Sequence, residues 1–583
     1  MRHPIKINFL LLSLFFQTIL QAQNIPMGFP FFEDALRRSQ LDGKTDSNVS
    51  FMIQPVHANR ALGIQNTWNS DRLLTPFDTN QRTPYTQYKN KWASVSLLPV
   101  YLHFRYNHHH PYGWNDGAMI PSKGRQLYMS GGAYADMHYG IVALEAQWRP
   151  EWVEAQNLPF QNPPFRSRNI DFPERMGQDP YGRSFRGQSY VHLHVGPLTA
   201  GYGYENVTWG AGRKNNIVLS NNAPGFGHFT FHTNKPIKIK PLGTVEFQVI
   251  GGKLRPSGFT YPNRYTPGEW PPIAGDVVVD TNALEYYSFF TGMKGVYQPK
   301  WFPGLFLGAS RIVQIDGVPK SNRDYFDYLY LGAKGEQTGG GPDSGGVNRN
   351  QIVALSFRYS LPQAQLELYG EVGRDDWAWD FEDFMTRPQS ASAFMLGARK
   401  LQDWRNGSQL EIMAEWTRMQ WPMTMYSTGG VFTSGLGGFY SNGIGGWQSK
   451  GWTHHGQVLG AGIGPGSNMA TIGIKHIKGY STTSVSFERV VYNQDLFYSS
   501  IDYLQLNPAN PLSKDISKHF IDWGFLLQFH RAYGKMLVGY NFHLLRTYNF
   551  NWNYDPNGVP GDFRFPGINV WSLNAEVSAV YLF

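Results

Sequence analysis

Segments of about ten residues in which apolar and polar side chains alternate recur along the chain, and this pattern restricts the fold more than any other feature. The final stretch, VWSLNAEVSAVYLF, is the longest case. Trp571, Leu573, Ala575, Val577, Ala579, Tyr581 and Phe583 fall on one face. Ser572, Asn574, Glu576 and Ser578 fall on the other, with Val580 and Leu582 as lapses. Successive strand side chains point to opposite faces, so each segment is a strand with one apolar and one polar side. The same alternation runs through MHYGIVALEAQW, SYVHLHV, TVEFQV, AQLELYGEV, QLEIMAEWTRM and MLVGYNFHLL, separated by turn-rich stretches such as SLPQA and RAYGK. The chain is therefore expected to be all-β.

A soluble sandwich also alternates. Three features favour a transmembrane antiparallel barrel of the outer-membrane type instead. The polar faces carry Glu367 and Glu371 in one strand and Glu411 and Glu415 in another, with Arg358 and Arg399 nearby in sequence. Such groups are costly in a dry core but tolerated in a water-filled or plugged lumen. Connections alternate between short and long. The last strand ends on an aromatic residue, Phe583, which is what outer-membrane insertion reads; separately, the 33 Tyr and 18 Trp suit an aromatic girdle at the membrane interface and equally a surface that stacks on sugars. Roughly 16 to 18 strands are expected over residues 91–583, with Phe583 at the membrane edge of the closing strand.

Residues 1–22 read as a signal peptide: basic MRHPIK, apolar INFLLLSLFF, and Ala22 at the cleavage point. The chain has no cysteine, which excludes a disulfide scaffold and a lipid-modified N-terminal Cys. No later stretch is apolar enough for a membrane helix. Residues 23–90 are expected to form a small periplasmic segment with a helix in FFEDALRRSQLDG (31–43), placed to plug or cap the barrel from below. The net charge of +8 includes Arg2 and Lys6 of the leader and contains no dense basic run, so no nucleic-acid partner is expected.

Residues 201–236 read GYGYENVTWGAGRKNNIVLSNNAPGFGHFTFHTNKP. With Trp209-Gly210-Ala211-Gly212 followed by Ser220-Asn221-Asn222-Ala223-Pro224-Gly225-Phe226, this stretch resembles the Wzi family of capsule-assembly outer-membrane proteins. LRRSQLDG (36–43), ELYGEVGRDDW (367–377) and VLGAGIGPGSN (458–468) resemble further parts of that family, in the same order. Ala211 stands where a proline is more usual. The resemblance implies a non-catalytic, lectin-like outer-membrane barrel that binds surface polysaccharide and helps attach or assemble capsule or exopolysaccharide. It would work in the outer membrane of a Gram-negative bacterium, in contact with its lipid, as a monomer without cofactor.

The candidate polysaccharide-binding residues fall in two places. Trp209 offers a ring for stacking, and Asn221 and Asn222 offer donors and acceptors for hydroxyls; the same asparagines would also serve to fix a turn. Glu371, Asp375, Asp376 and Trp377 set carboxylates beside an indole, a combination suited to sugars, to a cation or to a solvated acidic loop. The Gly-rich stretches 107–117, 334–350 and 427–456 read as loops that bind, fold into the lumen or are simply flexible. His108-His109-His110 and His454-His455 lack the spacing of a zinc site, so no metal is expected there. Two other functions remain: a diffusion pore, supported by an open lumen lined by Glu411, Glu415 and Arg399, and a glycan hydrolase using Glu371 or Asp376.

Overall fold

In the computed structural model, eighteen antiparallel strands close into one barrel. The residues described are 30–62, 87–90, 92–160, 170–173, 175–258, 287–316, 349–375, 392–421, 451–495, 519–550 and 568–582, with Tyr325, Met385, Tyr440, Phe497 and Tyr498. The leader, Phe583, most of the Gly-rich stretches 334–350 and 427–456, Asp376 and Trp377 lie outside them. Strands pair with their neighbours in sequence order, from Ala93–Asn107 with Gly124–Tyr139 to Met536–Tyr548 with Val570–Tyr581. Closure comes from Val570–Tyr581 pairing with Ala93–Asn107, from Asn574 opposite Asn107 to Tyr581 opposite Val100. Closure leaves no backbone edge bare, which a membrane demands.

The alternation sets the two faces. In the closing strand Trp571, Leu573, Val577 and Tyr581 are exposed on the outside, while Ser572 and Asn574 are buried within. In Tyr190–Val195, Val191, Leu193 and Val195 face out and His192 and His194 face in. Apolar side chains outside and charged ones inside is the inverse of a soluble protein and the pattern of a lipid-facing barrel. Trp92, Tyr139, Trp301, Trp404 and Tyr533 stand exposed at or beside the short-turn rim, where a girdle belongs.

Short turns, such as Tyr139 to Val142, Val195 to Leu198 and Lys478 to Ser481, lie at one end; the long connections lie at the other. Ala93 and Tyr581 are both at the short-turn end, so the segment preceding the barrel approaches from there. It carries the helix Pro30–Leu41, with Glu33 in the first turn and Arg38 in the last, each suited to the local helix dipole. The helix packs inside the wall. Phe32 and Leu36 join a hydrophobic cluster with Leu98, Tyr101, Tyr128, Leu537, Val580 and Leu582. This accounts for the lapses of the last strand: Val580 and Leu582 point inward because an apolar helix face meets them there.

Candidate functional site

The lumen is filled by two segments that enter it from opposite ends. From the short-turn end come Pro30–Leu41 and the chain up to Leu62. From the long-connection end comes the segment between Gly203 and His228, which holds the Trp-Gly-Ala-Gly and Ser-Asn-Asn-Ala-Pro-Gly-Phe motifs. They meet as a two-stranded antiparallel ribbon, Ile53 opposite Trp209 and Gln54 opposite Thr208. Gly210 N–H extends it by donating to Met52 O at 3.0 Å. Gly210 has φ +144°, and a Cβ there would press on the Asn216 side chain, so only glycine makes this turn.

Wall carboxylates hold these segments. Glu367 is fully buried and accepts from three guanidinium groups: Arg37 of the helix (2.8 Å), and Arg358 and Arg399 of the neighbouring strands (Arg399 at 2.9 Å). Arg37 also donates to Ala211 O at 2.6 Å, tying helix, inserted segment and wall through one side chain. Glu415 accepts three consecutive backbone N–H groups, from Arg213, Lys214 and Asn215, at 2.7 to 2.9 Å. Consecutive N–H groups converging on one carboxylate form an anion nest. Glu371 accepts Ile217 N–H at 2.8 Å. Asp34 of the helix pairs with Arg213, Lys475, Arg38 and Arg399. Burial pushes its carboxyl up, but Arg213, Lys475 and the other cations outweigh that and hold it well below the usual range. The adjacent Glu33 is raised, because burial outweighs Arg37 and Arg213 there.

A hydrophobic cluster completes the filling. Trp209, Ile217, Val218, Leu219 and Phe226 of the inserted segment pack with wall residues Phe290, Phe306, Ile312, Tyr369 and Met469. Trp452, Val458, Leu459 and Ala461, from the long connection after Arg418, close over them. Ser220 N–H donates to Leu459 O at 2.7 Å, and Trp452 Nε1 to Val218 O at 2.7 Å.

The candidate residues are placed as follows. Trp209 is 0% exposed and donates from Nε1 to Gln248 Oε1, so no ring face is open to a sugar. It packs in the hydrophobic cluster formed by the inserted segment and the wall. Asn222 is buried; it donates to Val458 O at 3.0 Å and accepts from Asn115 N–H at 3.2 Å. Asn221 donates to Asn115 O and accepts from Asn206. Both asparagines fix backbone, the second of the two roles set out for them. Glu371 and Asp375 are buried; Asp375 accepts from Asn350 and from Tyr440 N–H. Asp376 and Trp377 lie outside the described residues. Of the residues that would have lined an open pore, Glu415 accepts N–H groups of the inserted segment and Arg399 pairs with Asp34 of the helix, while Glu411 pairs with Arg399 and Lys475 of the wall. His110 contacts Asp522 at 3.0 Å, and His454 Nδ1 accepts Arg255 N–H at 2.9 Å.

Between the helix and the loop 107–124 a cavity of 330 Å³ remains, near the lower limit of ligand pockets. Tyr101, Tyr112, Tyr128 and Trp114 supply ring surface; Arg105, Lys214, Asn115, Asn221 and Asn541 supply polar atoms. Asp116 and Glu576 share the Arg105 guanidinium. Burial, reinforced by Glu576, pushes the Asp116 carboxyl above its ordinary range despite Arg105. Sequence reasoning missed this chamber, because its walls come from strands at both ends of the chain and from loop 107–124.

The profile of the family "Capsule assembly protein Wzi" matches residues 114–500, more than half of the chain. The chain belongs to the Wzi capsule-assembly family. Among solved structures, Wzi of Escherichia coli aligns over 96% of this chain and 100% of its own, at 12% identity and TM-score 0.55. That protein is described as an outer-membrane protein involved in group 1 capsule assembly and a carbohydrate-binding β-barrel. At that identity the likeness shows the shared fold. OpdQ of Pseudomonas aeruginosa aligns over 85% of this chain and 99% of its own at 12% identity, with TM-score 0.37. OprB of Pseudomonas putida aligns over 84% and 94% at 11% identity, with TM-score 0.35. Comparison with curated sequences yields no significant match. The four motifs that resemble the Wzi family meet inside this barrel: Arg37, Ala211 and Glu367 in one contact, Ser220 and Leu459 in another.

Proposed function

We propose that this Wzi-family barrel binds surface polysaccharide and helps attach or assemble capsule or exopolysaccharide, without catalysing a reaction on it. The observation that carries the reading is the filled lumen. Family membership supplies capsule assembly as the setting. A bore packed by the helix, the inserted segment and a hydrophobic cluster offers no wide aqueous path, so the work falls to surfaces and loops. Affinity per sugar would be low, and a repeating polymer would compensate by engaging several sites. Glu371 and Asp375 each commit a carboxylate oxygen to a backbone N–H, which argues against a pair poised across a glycosidic bond.

The wider layout follows. Residues 1–22 act as the export leader, and residues 23–90 sit at the periplasmic, short-turn end. Leu41 supports that placement, packing with Leu401 and Ile477 beside two of the short turns. The barrel, 91–583, works as a monomer in outer-membrane lipid with its long connections outside. The test is to delete the gene and measure polysaccharide retained on cells against polysaccharide shed. Retention should fall and return with the intact gene; unchanged retention overturns the proposal. Sustained open current from the purified protein in a planar bilayer would favour the pore instead.

A further inference from the structure

Away from the chamber, four histidines converge at the wall of the plug. His192 and His194 lie on Tyr190–Val195, His232 on His228–Thr233, and His57 on the segment that enters the lumen. All four are buried. The His57 ring lies 5.3 Å from those of His194 and His232 and 6.2 Å from that of His192, centre to centre. Glu145, opposite His192 in the strand register, reaches His194 Nε2 at 2.9 Å. Gly201 makes room for the His192 ring, since a Cβ at 201 would overlap it.

We propose that His57, His194 and Glu145, with His232 as fourth ligand, form a binding site for a borderline divalent transition-metal ion, zinc in the first instance, which staples the N-terminal segment to the barrel wall. The ligand atoms of His57, Glu145 and His194 all lie within 4.8 Å of one another. His57 Nε2 and His232 Nε2 are 3.1 Å apart. Donors about 2.0–2.1 Å from a tetrahedral zinc sit roughly 3.3 Å from each other, so modest side-chain rotation closes the set. Imidazole with one carboxylate suits zinc better than a hard cation such as calcium.

The surroundings are those of a ligand set. His194 Nδ1 is held by Thr199 Oγ1 at 2.7 Å, and His232 Nδ1 by Thr230 Oγ1 at 3.0 Å. A threonine oxygen on Nδ1 fixes each ring with Nε2 turned to the centre, the outer support that metal-binding histidines use. His57 Nδ1, His192 Nδ1 and Glu205 Oε2 are buried without a hydrogen-bond partner. His192 and Glu205 flank the ligand set without belonging to it. A cavity of 20 Å³ lies against His57, His192, His232 and Glu205, room for one water-sized species.

The site was invisible to motif reading because its ligands come from four separate segments with no short spacing. It goes beyond the glycan proposal and does not depend on it. The test uses the full-length protein in detergent, stripped with a chelator and titrated with zinc chloride, with cobalt(II) as the spectroscopic probe. One equivalent per chain and a tetrahedral cobalt spectrum are expected. His57→Ala should abolish both. His57 lies off the barrel wall, so folding can be verified by the gel shift between heated and unheated samples. Thr199→Val, a milder change, should weaken binding about 10- to 100-fold. His108→Ala, at an exposed position away from the cluster, should change nothing. Failure to bind a stoichiometric ion, an octahedral cobalt spectrum, or binding unaltered by His57→Ala overturns the proposal.

Discussion

Replacing Arg37 with methionine should loosen the plug without unfolding the barrel. The guanidinium donates to Glu367 and to Ala211 O, and it is 1% exposed. Hydrogen bonds to charged groups are worth about 1.5–3 kcal/mol each, so the gross loss is about 3–6 kcal/mol. Methionine keeps much of the volume and removes the several-kcal/mol desolvation cost of one buried cation, which offsets part of that loss. Glu367 retains Arg358 and Arg399, so no bare carboxylate is left. The net effect on docking is about 2–3 kcal/mol, or a 30- to 150-fold rise in the undocked fraction. Amide exchange of Pro30–Leu41 reads that fraction when reclosing is fast. Glu367→Gln should cost more, about 3–5 kcal/mol, because it takes the carboxylate partner from Arg37 and Arg358, while Arg399 keeps Asp34 and Glu411. The double variant should cost less than the sum. Unchanged exchange in Arg37→Met, or a larger effect there than in Glu367→Gln, would refute the idea that this carboxylate anchors the plug.

Acid should release the same helix only at low pH. Asp34 has a folded-state value well below its ordinary one, so its stabilisation is complete above about pH 4 and fades as pH falls through the lower folded value. Proteolysis of the N-terminal segment should not rise between neutral pH and about 4, since protonation of the raised Glu33 favours docking, and should rise below that; a rise near pH 6 would contradict the assignment. Asp34→Asn should raise cleavage already at neutral pH. Gly225→Val should dislodge the inserted segment, because a side chain there meets the Tyr204 carbonyl oxygen; exchange of residues 205–226 reads this while the heated-gel shift persists. Leu544→Arg, on the exposed face near the middle of Met536–Tyr548, should cost the barrel about 2–4 kcal/mol in vesicle refolding titrations. An effect near zero would place that face out of lipid.

The barrel was legible because period two survives wherever one side of a strand meets lipid and the other meets charge. Glu145 against Val142 and Leu144, or His192 against Val191 and Leu193, already assigns inside and outside. The helix over 31–43 was legible too, from Phe32, Ala35 and Leu36; the structure places it at Pro30–Leu41. The role of the motifs was not. Trp209, Asn222 and Glu371 have the chemistry of a sugar site, and that chemistry serves equally to bury a turn. An indole that donates to Gln248 and an asparagine that bridges two loops look the same in a sequence as ones that would face a glycan. What separates them is burial, and burial here is set by segments hundreds of residues apart: Arg37 with Glu367, Arg213 with Glu415, Ser220 with Leu459.

The charged interior and the sequence motifs then have one cause. An inserted segment brings backbone N–H groups that no strand partner satisfies, and each one that is buried needs another acceptor. Glu415 takes three of these groups and Glu371 a fourth. Two further wall carboxylates, Glu367 and Glu411, bind cations: Lys475 and Arg399 reach Glu411, and Arg399, Arg358 and the helix's Arg37 reach Glu367. Each group is expensive to bury alone and is tolerated only with its partners present, so removing one strands the others. The plug is therefore expected to dock and release as a unit, and surface residues that contact polymer would be free to vary without disturbing it. Binding variants should accordingly be sought among the long connections and the chamber walls, at positions such as Trp114 or Asn541, rather than among the motif residues.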